Sequence, residues 1–238
     1  MKTLAIVIPA HNEEEIIRQN VEKTMDFLEI NPIGLNWKIY VAENGSTDNT
    51  IKELKKIKNK NFRFIILPVR SRSKAILGAW KKIDADYYMF MDADLSTDIN
   101  HIPKLVGHLK EGYDIVIGSR RMKASQVKRV LVRKVLSEGF HLIMRVVFNL
   151  HINDYQCGFK VIDRKVRDHI IPQMRYTDEG FLDTELLAVA HSKGYKIKEI
   201  PVHWYDIRPS KFKVYRSIYM NLFNSYRIKR DLILGRYN

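Results

Sequence analysis

The sequence predicts an α/β fold: a mostly parallel sheet with helices on both faces. Three observations carry that expectation. Short apolar runs at 3–9, 38–42, 62–67 and 87–91 alternate with stretches of helical spacing up to about residue 119. The strands are separated by crossovers long enough for a helix, as parallel pairing requires. The first, second and fourth runs empty into polar, acidic loops, at Asn12 and Glu13, at Glu43 and Asp48, and at Asp92 and Asp94. In open α/β sheets ligands bind beyond the carboxyl ends of the strands, so these loops mark the candidate site. Neither GxGxxG nor GxxxxGK[ST] occurs, which argues against a glycine cradle for a dinucleotide or a P-loop.

Taken in order, 3–9 is a short buried strand closed by Pro9. Asn12 is the expected N-cap of a helix over 13–30, spaced by Ile17, Val21, Met25 and Leu28. The second strand, 38–42, meets Glu43-Asn44-Gly45-Ser46-Thr47-Asp48, where Gly45 supplies the turn and Thr47 or Asp48 caps the next helix. A third strand is expected over 62–67. The fourth, Tyr87-Tyr88-Met89-Phe90-Met91, reads as buried on both faces. Strand side chains alternate, so Asp92 and Asp94 should leave on the same side if the strand geometry persists. Converging carboxylates repel each other unless a cation joins them, and hard oxygen ligands suit Mg2+ or Mn2+ on a diphosphate. Two solvated turn aspartates are the competing account.

The second half opens with a strand over 113–117 and Gly118-Ser119-Arg120. Over 125–150, Arg129, Arg133, Ser137, His141 and Arg145 recur as a basic stripe beside Val132, Leu136, Phe140, Ile143 and Val147. Such a helix either turns a basic face to water or lies on a membrane with its arginines at lipid phosphates. Gly158 suggests a close backbone approach or a bend. Cys157 reads as a small core residue rather than a nucleophile. A helix opens at 181–187, its acids Asp183 and Glu185 complementing the helix dipole, and a strand follows over 196–203. The tail sets Val214, Tyr215, Ile218, Tyr219, Leu222, Phe223 and Tyr226 on one helical face among cations. That pattern suits a bilayer interface or packing on the domain.

Charge is unevenly placed in this chain of net +14. Residues 1–119 hold 17 Lys and Arg against 16 Asp and Glu, whereas 120–238 hold 24 against 11. The second half should therefore meet something anionic: nucleic acid, lipid headgroups or a phosphate-bearing substrate. No nucleic-acid motif accompanies the charge, so a basic nucleic-acid-binding module is the alternative of another class and nucleic acid is not an expected partner. One cysteine excludes an intrachain disulfide and fits a reducing compartment. The start lacks the pattern of a secretory leader, and no apolar run approaches the roughly 20 residues that span a bilayer. A cytoplasmic protein, peripheral at most on a membrane, is expected.

Together these motifs resemble a known family. Pro9-Ala10-His11-Asn12-Glu13, the 43–48 loop, Asp92-Ala93-Asp94 and Gly118-Ser119-Arg120 stand in the order typical of family 2 glycosyltransferases with the GT-A fold. Arg129, Arg133, Gly139-Phe140-His141, the 154–160 and 181–187 stretches and Ser210-Lys211 resemble the dolichyl-phosphate glucosyltransferase branch, more than the dolichol-phosphate mannosyltransferases. The resemblance implies one Rossmann-like GT-A domain over 1–211, with a nucleotide-sugar half (1–119) and an acceptor half (120–211). A basic amphipathic helix over 212–238 would follow, at the membrane interface. The implied reaction is inverting transfer of a hexose, from UDP-glucose, to a polyprenyl or dolichyl phosphate at the cytoplasmic face. GDP-mannose or UDP-N-acetylglucosamine as donor, or a saccharide acceptor, are the alternatives within the fold.

Carried over by position, Pro9, His11 and Glu13 border the nucleotide, Glu43 meets ribose or base, and Asp48 and Lys74 belong to the same site. Asp92 and Asp94 hold the divalent metal, and with Arg120 form the catalytic set. Arg120, Arg129, Arg133, Arg208 and Lys211 bind the acceptor phosphate. Two departures stand out: Glu43-Asn44 where two acids are common, and Ser71-Arg72-Ser73-Lys74-Ala75 where a glycine-rich loop around a lysine is common. The chemistry agrees with these roles. A phosphate monoester, with a second pKa of about 6, is already anionic at neutral pH. It needs no base to remove a proton, but it does need guanidinium forks to hold it.

Overall fold

The computed structural model describes residues 1–68, 70–128, 143–177, 181–205 and 214–237. Strands β1 (Thr3–Ala10), β2 (Asn36–Glu43), β3 (Phe62–Ile66) and β4 (Tyr87–Met91) are followed by helices α1 (Ile17–Ile30), α2 (Thr50–Lys56), α3 (Arg72–Lys82) and α4 (Ile102–Lys110) respectively. Then come β5 (Ile115–Ser119), β6 (Gln126–Lys128), β7 (Phe159–Asp163), α5 (Arg164–His169), α6 (Leu182–Ser192), β8 (Ile197–Pro201), β9 (His203–Tyr205) and α7 (Val214–Ile233). Residues 143–148 are also helical.

The main sheet runs β3-β2-β1-β4-β7-β5-β8. Its pairings are parallel except for β7, which lies antiparallel between β4 and β5. The mostly parallel sheet is therefore as expected, while the antiparallel wedge is not. Strand order turns about β1 and β4, which opens a crevice at their carboxyl ends. The register pairs Met91 with Phe159, so the residue before β7, Gly158, lies beside the residue after β4, Asp92.

Helices cover both faces. Tyr88 and Phe90 point into a cluster with Trp80, Phe181, Leu186 and Ile228. Tyr87, Met89 and Met91 point into another with Ile17, Val21, Leu105 and Phe159. β4 is thus buried on both faces, and alternation sends its side chains to two cores in turn. Trp80 meets Phe90 with ring centroids 5.8 Å apart and Tyr88 edge-on at 6.0 Å, packing that fixes α3 over the strand end.

Several boundaries differ from expectation, each for a local reason. α1 starts at Ile17, and Asn12 does not cap it. Asn12 takes a left-handed backbone (φ 56°), and its Oδ1 accepts the Thr47 amide at 2.8 Å instead. The strand expected over 196–203 divides at Val202, and β9 leaves to pair with β6 in a two-stranded parallel sheet. The basic helix expected over 125–150 begins as strand β6. Residues 129–142, with Arg129, Arg133, Ser137 and His141, lie outside the described residues.

α7 packs on the domain by one face and shows another to solvent. Asn224, Ser225, Ile228 and Asp231 are buried, and Tyr237 beyond the helix is buried with them. Its phenol donates to Glu185 at 2.8 Å, and Tyr176 donates to Asp231 at 2.5 Å. Leu222, Phe223 and Tyr226 stay exposed, as do Ile143 and Val146 nearby. One face of α7 therefore packs on the domain, as one account of the tail expects, and the other leaves apolar side chains exposed. Among the described residues no helix is long and apolar enough to cross a membrane.

Candidate functional site

The site is built around the end of β4. The strand stops at Met91, so alternation does not carry through to residue 94; Ala93 is buried and Leu95 is left-handed (φ 53°). Asp92 and Asp94 therefore meet different neighbours. Asp94 Oδ1 accepts the Ser96 amide at 2.9 Å, and its residue lines an open cleft of about 590 Å3 with Ile16, Asn20, Asp98 and Tyr205. Asp92 Oδ1 accepts from Arg72 Nε at 3.1 Å and Nη2 at 2.8 Å.

Arg72 opens α3, whose cap residue Ser71 accepts the Lys74 amide. Its remaining arm, Nη1, reaches Asp183 Oδ2 at 3.3 Å. Asp183 Oδ1 in turn accepts from Lys160 Nζ at 2.7 Å, and Lys160 also donates to the Cys157 carbonyl. Lys160 is fully buried and Asp183 nearly so. The Phe90 ring faces both cations, 5.2 Å from the Arg72 guanidinium and 5.7 Å from Lys160 Nζ. Burial works against the Arg72 charge, but Asp92 and Asp183 outweigh it and raise its pKa above the ordinary arginine value.

Gly158 permits this assembly. A Cβ there would lie 2.1 Å from Asp92 Oδ2 and 2.7 Å from Arg72 Nη2. The close approach expected at this glycine is thus an approach to the acid itself. Asp183 and Glu185 stand in the first turn of α6, as expected, and both also make tertiary contacts. Asp183 holds two cations, and Glu185 accepts the amides of Arg175 and Tyr176 at 2.6 and 2.9 Å.

The ends of β1 and β2 form one hydrogen-bonded rim. Pro9 lies in β1, paired with Ala42, and His11 is exposed beyond it. The Glu13 amide donates to Thr50 Oγ1 at 2.8 Å. Glu43 is buried and its Oε1 accepts the Ser46 amide at 2.5 Å. Asp48 engages both oxygens: Oδ1 takes the Thr50 amide and hydroxyl, and Oδ2 takes the Glu14 amide. Burial raises the Asp48 pKa, but the Thr50 and Glu14 hydrogen bonds outweigh it and hold the carboxyl below its ordinary value. Asp48 thus ties the two loops beside the start of α2, whose N-cap position is Asn49 rather than the expected Thr47 or Asp48. Lys74 lies exposed on α3, and the cation of that stretch facing Asp92 is Arg72.

Arg120 stands after β5, held by the buried Asp154 through Nε–Oδ2 at 2.6 Å and Nη2–Oδ1 at 2.8 Å. Its guanidinium lies 5.7 Å from the Trp204 ring. Burial opposes its charge, yet Asp154 outweighs it and raises its pKa above the ordinary arginine value. Cys157 is fully buried, and burial pushes its thiol up to about 12, so it is no nucleophile. Arg129, Arg133, Arg208 and Lys211 lie outside the described residues.

Among the described residues, Asp98, His101 and His203 are the group of three acid and histidine donors within 4.8 Å of one another. His101 Nε2 accepts the His203 amide at 2.9 Å, so the neutral imidazole carries its proton on Nδ1 and has no second lone pair to give. Burial, then the nearby His203, lowers the His101 pKa and keeps it in that form. The trio ties β9 to the segment after Asp94 and is a poor ligand set.

Sequence reasoning missed Arg72, Lys160, Asp183 and Asp154 as members of the site. The available signal was Lys160: a lone cation inside the buried run Phe159–Asp163 requires a charged partner.

The profile described as Glycosyl transferase family 2 matches residues 5–171. A Dolichyl-phosphate beta-glucosyltransferase of Saccharomyces cerevisiae is 29% identical, over 98% of this chain and 74% of its own. The Dolichyl-phosphate beta-glucosyltransferase ALG5A of Trichomonas vaginalis is 32% identical, over 91% and 70%. Glucosyl-3-phosphoglycerate synthase of Mycobacterium tuberculosis, crystallised with Mn2+, UDP and glucosyl-3-phosphoglycerate, superposes with a TM-score of 0.66 at 18% identity, over 99% and 80%. At that identity the likeness speaks to fold alone, and the fold is the GT-A type.

Proposed function

Because the chain belongs to glycosyl transferase family 2, and is therefore a glycosyltransferase, we propose that it moves a hexose from a nucleotide sugar to a dolichyl or other polyprenyl phosphate, with inversion. UDP-glucose is the donor favoured. The single observation that carries this reading is that Asp92, paired with Arg72, and Arg120, paired with Asp154, follow β4 and β5, the two strands that flank β7. The activity named for the relatives supports the sugar and the acceptor.

A divalent cation suits the residues present. Asp92 and Asp94 offer hard oxygens, and the Asp92 side chain, whose Oδ2 sits where a Gly158 side chain would stand, is 37% exposed. Asp92 and Asp94 would hold Mg2+ or Mn2+, and the ion would neutralise charge developing on the departing diphosphate. Pro9, His11, Glu13 and Glu43 line the rim where the nucleoside would lie, with Asp48 bracing that rim. Lys74 is retained as an outlying cation of that half.

The acceptor phosphate oxygen forms the new bond to the anomeric carbon while the bond to the diphosphate oxygen breaks. Asp154 fixes the Arg120 fork for that phosphate. Arg129, Arg133, Arg208 and Lys211 would add charge. The exposed Ile143, Val146, Leu222 and Tyr226, with Lys229, line an apolar groove of about 530 Å3 that suits the surface of an anionic bilayer. The protein would then act as a peripheral enzyme on the cytoplasmic face.

The test is incubation of purified protein with radiolabelled UDP-glucose, GDP-mannose or UDP-N-acetylglucosamine and dolichyl phosphate, followed by solvent extraction. Label from UDP-glucose in the lipid phase is expected. Label from another donor alone would refute the sugar, and none from any donor would refute the acceptor.

A further inference from the structure

Four ionised side chains meet behind the end of β4, and their charges cancel. Asp92 and Asp183 are bridged by Arg72, and Asp183 is also bound by Lys160. Asp92 Oδ1 is taken by two Arg72 nitrogens, and each oxygen of Asp183 has its own cation. An acid set aside for a divalent cation is therefore already neutralised by the protein's own guanidinium.

We propose that Arg72 is a built-in counter-ion, standing at Asp92 in place of a divalent cation. The cation then enters together with the donor diphosphate, as Arg72 passes from Asp92 to a phosphate oxygen. The proposal rests on the reading of Asp92 as a metal-holding carboxylate.

Charge accounting supports it. A divalent cation alone would bring two positive charges to a neutral set and sit beside a guanidinium. A diphosphate diester brings two negative charges, so the two together enter without changing the total. Geometry supplies the pivot. Nη1 of Arg72 rests on Asp183, so the guanidinium can turn off Asp92 while staying anchored, with the Phe90 face beneath it. Lys160 keeps Asp183 occupied and fixed, which makes Lys160 and Asp183 positioning residues for Arg72. Gly158 makes room for Asp92 Oδ2, and the Asp92 side chain stays 37% exposed. Arginine suits the transfer, because its fork can serve a carboxylate and a phosphate in turn.

The sign of the consequence separates this device from a merely structural ion network. Removing Arg72 should strengthen the binding of metal alone, because the competing cation is gone. It should also weaken the coupling between metal and nucleotide, which linkage makes equal in both directions.

Mn2+ binding to the full chain, read from the free-ion electron paramagnetic resonance signal with and without UDP or GDP, tests this directly. Wild type should bind Mn2+ about tenfold or more tightly with nucleotide than without, within the usual range of coupling. Arg72→Met and Arg72→Gln should bind Mn2+ alone about fivefold or more tightly than wild type, with most of the nucleotide enhancement lost. Arg72→Lys, which keeps the charge, should stay near wild type. If neither neutral variant gains affinity for Mn2+ alone, or wild type shows no nucleotide enhancement, the proposal is overturned. If Asp92→Asn retains wild-type Mn2+ affinity in the presence of nucleotide, the metal reading of Asp92 fails instead. Melting curves of each variant confirm that folded protein is being compared.

Discussion

Replacing Gly158 by alanine adds one carbon to the backbone between β4 and α3. That carbon would lie 2.1 Å from Asp92 Oδ2 and 2.7 Å from Arg72 Nη2, whereas real Cβ contacts essentially never fall below 3.0 Å. The carboxylate must therefore move by about 1 Å. A shift of that size at a reacting centre costs about 100-fold in rate. Overpacking of this kind destabilises by roughly 1–3 kcal/mol. Gly158 is not among the residues with positive φ, so an alanine backbone is tolerated and the conflict is with the site alone. Gly107→Ala in α4 is the control. Nothing lies within 4 Å of its added carbon, and it should be neutral or stabilise by about 0.5–1 kcal/mol. The assay is sugar transfer to lipid under saturating donor, with thermal melting of both variants. A Gly158→Ala enzyme with wild-type kcat/KM would refute the placement of Asp92 at the reacting centre.

Asp183→Asn removes the carboxylate paired with the fully buried Lys160, and urea denaturation should show a loss of about 3–5 kcal/mol; an unchanged midpoint would contradict the pairing. Asp86, which accepts the Thr3 amide and hydroxyl at 2.8 Å each, is held below the ordinary 3.8 by those bonds, and Asp48 and Asp231 also lie below it. Their stabilisation is therefore present above 3.8 and lost as pH falls through the lowered folded values, so melting temperature should drop in acid and Asp231→Asn should flatten that drop. Phe223→Asp with Tyr226→Asp places charge on the exposed face of α7, and flotation with anionic vesicles should fall several-fold or more while melting is unchanged. Equal flotation would remove the membrane role of that face.

Much of the first half was legible because each of β1, β2 and β4 is an apolar run closed by a polar loop, a pattern read within a few residues. β7 was not. Its five residues carry a lysine at the second position, and their place between β4 and β5 is decided by partners about 70 residues away in β4. The site divides in the same way. Asp92 and Arg120 could be singled out as residue types at strand ends, but their partners Arg72 and Asp154 are tertiary neighbours 20 and 34 positions distant. Lys74 stood out by resemblance, yet the Ser71 cap sets the start of α3 so that Arg72 faces inward. The acids of α6 had a sufficient local explanation in the helix dipole, which is why their buried partners went unread.

A cation held by Asp92 and the guanidinium groups of Arg72 and Arg120 are proposed to serve one transfer of a hexose to a lipid phosphate. Transfer of label from UDP-glucose to dolichyl phosphate at stepped Mn2+ concentrations, for wild type and Asp92→Asn, tests that division of roles. The predicted result is metal-dependent label in the lipid phase that Asp92→Asn loses by about 100-fold or more. Full-rate transfer by either protein in excess EDTA would contradict it.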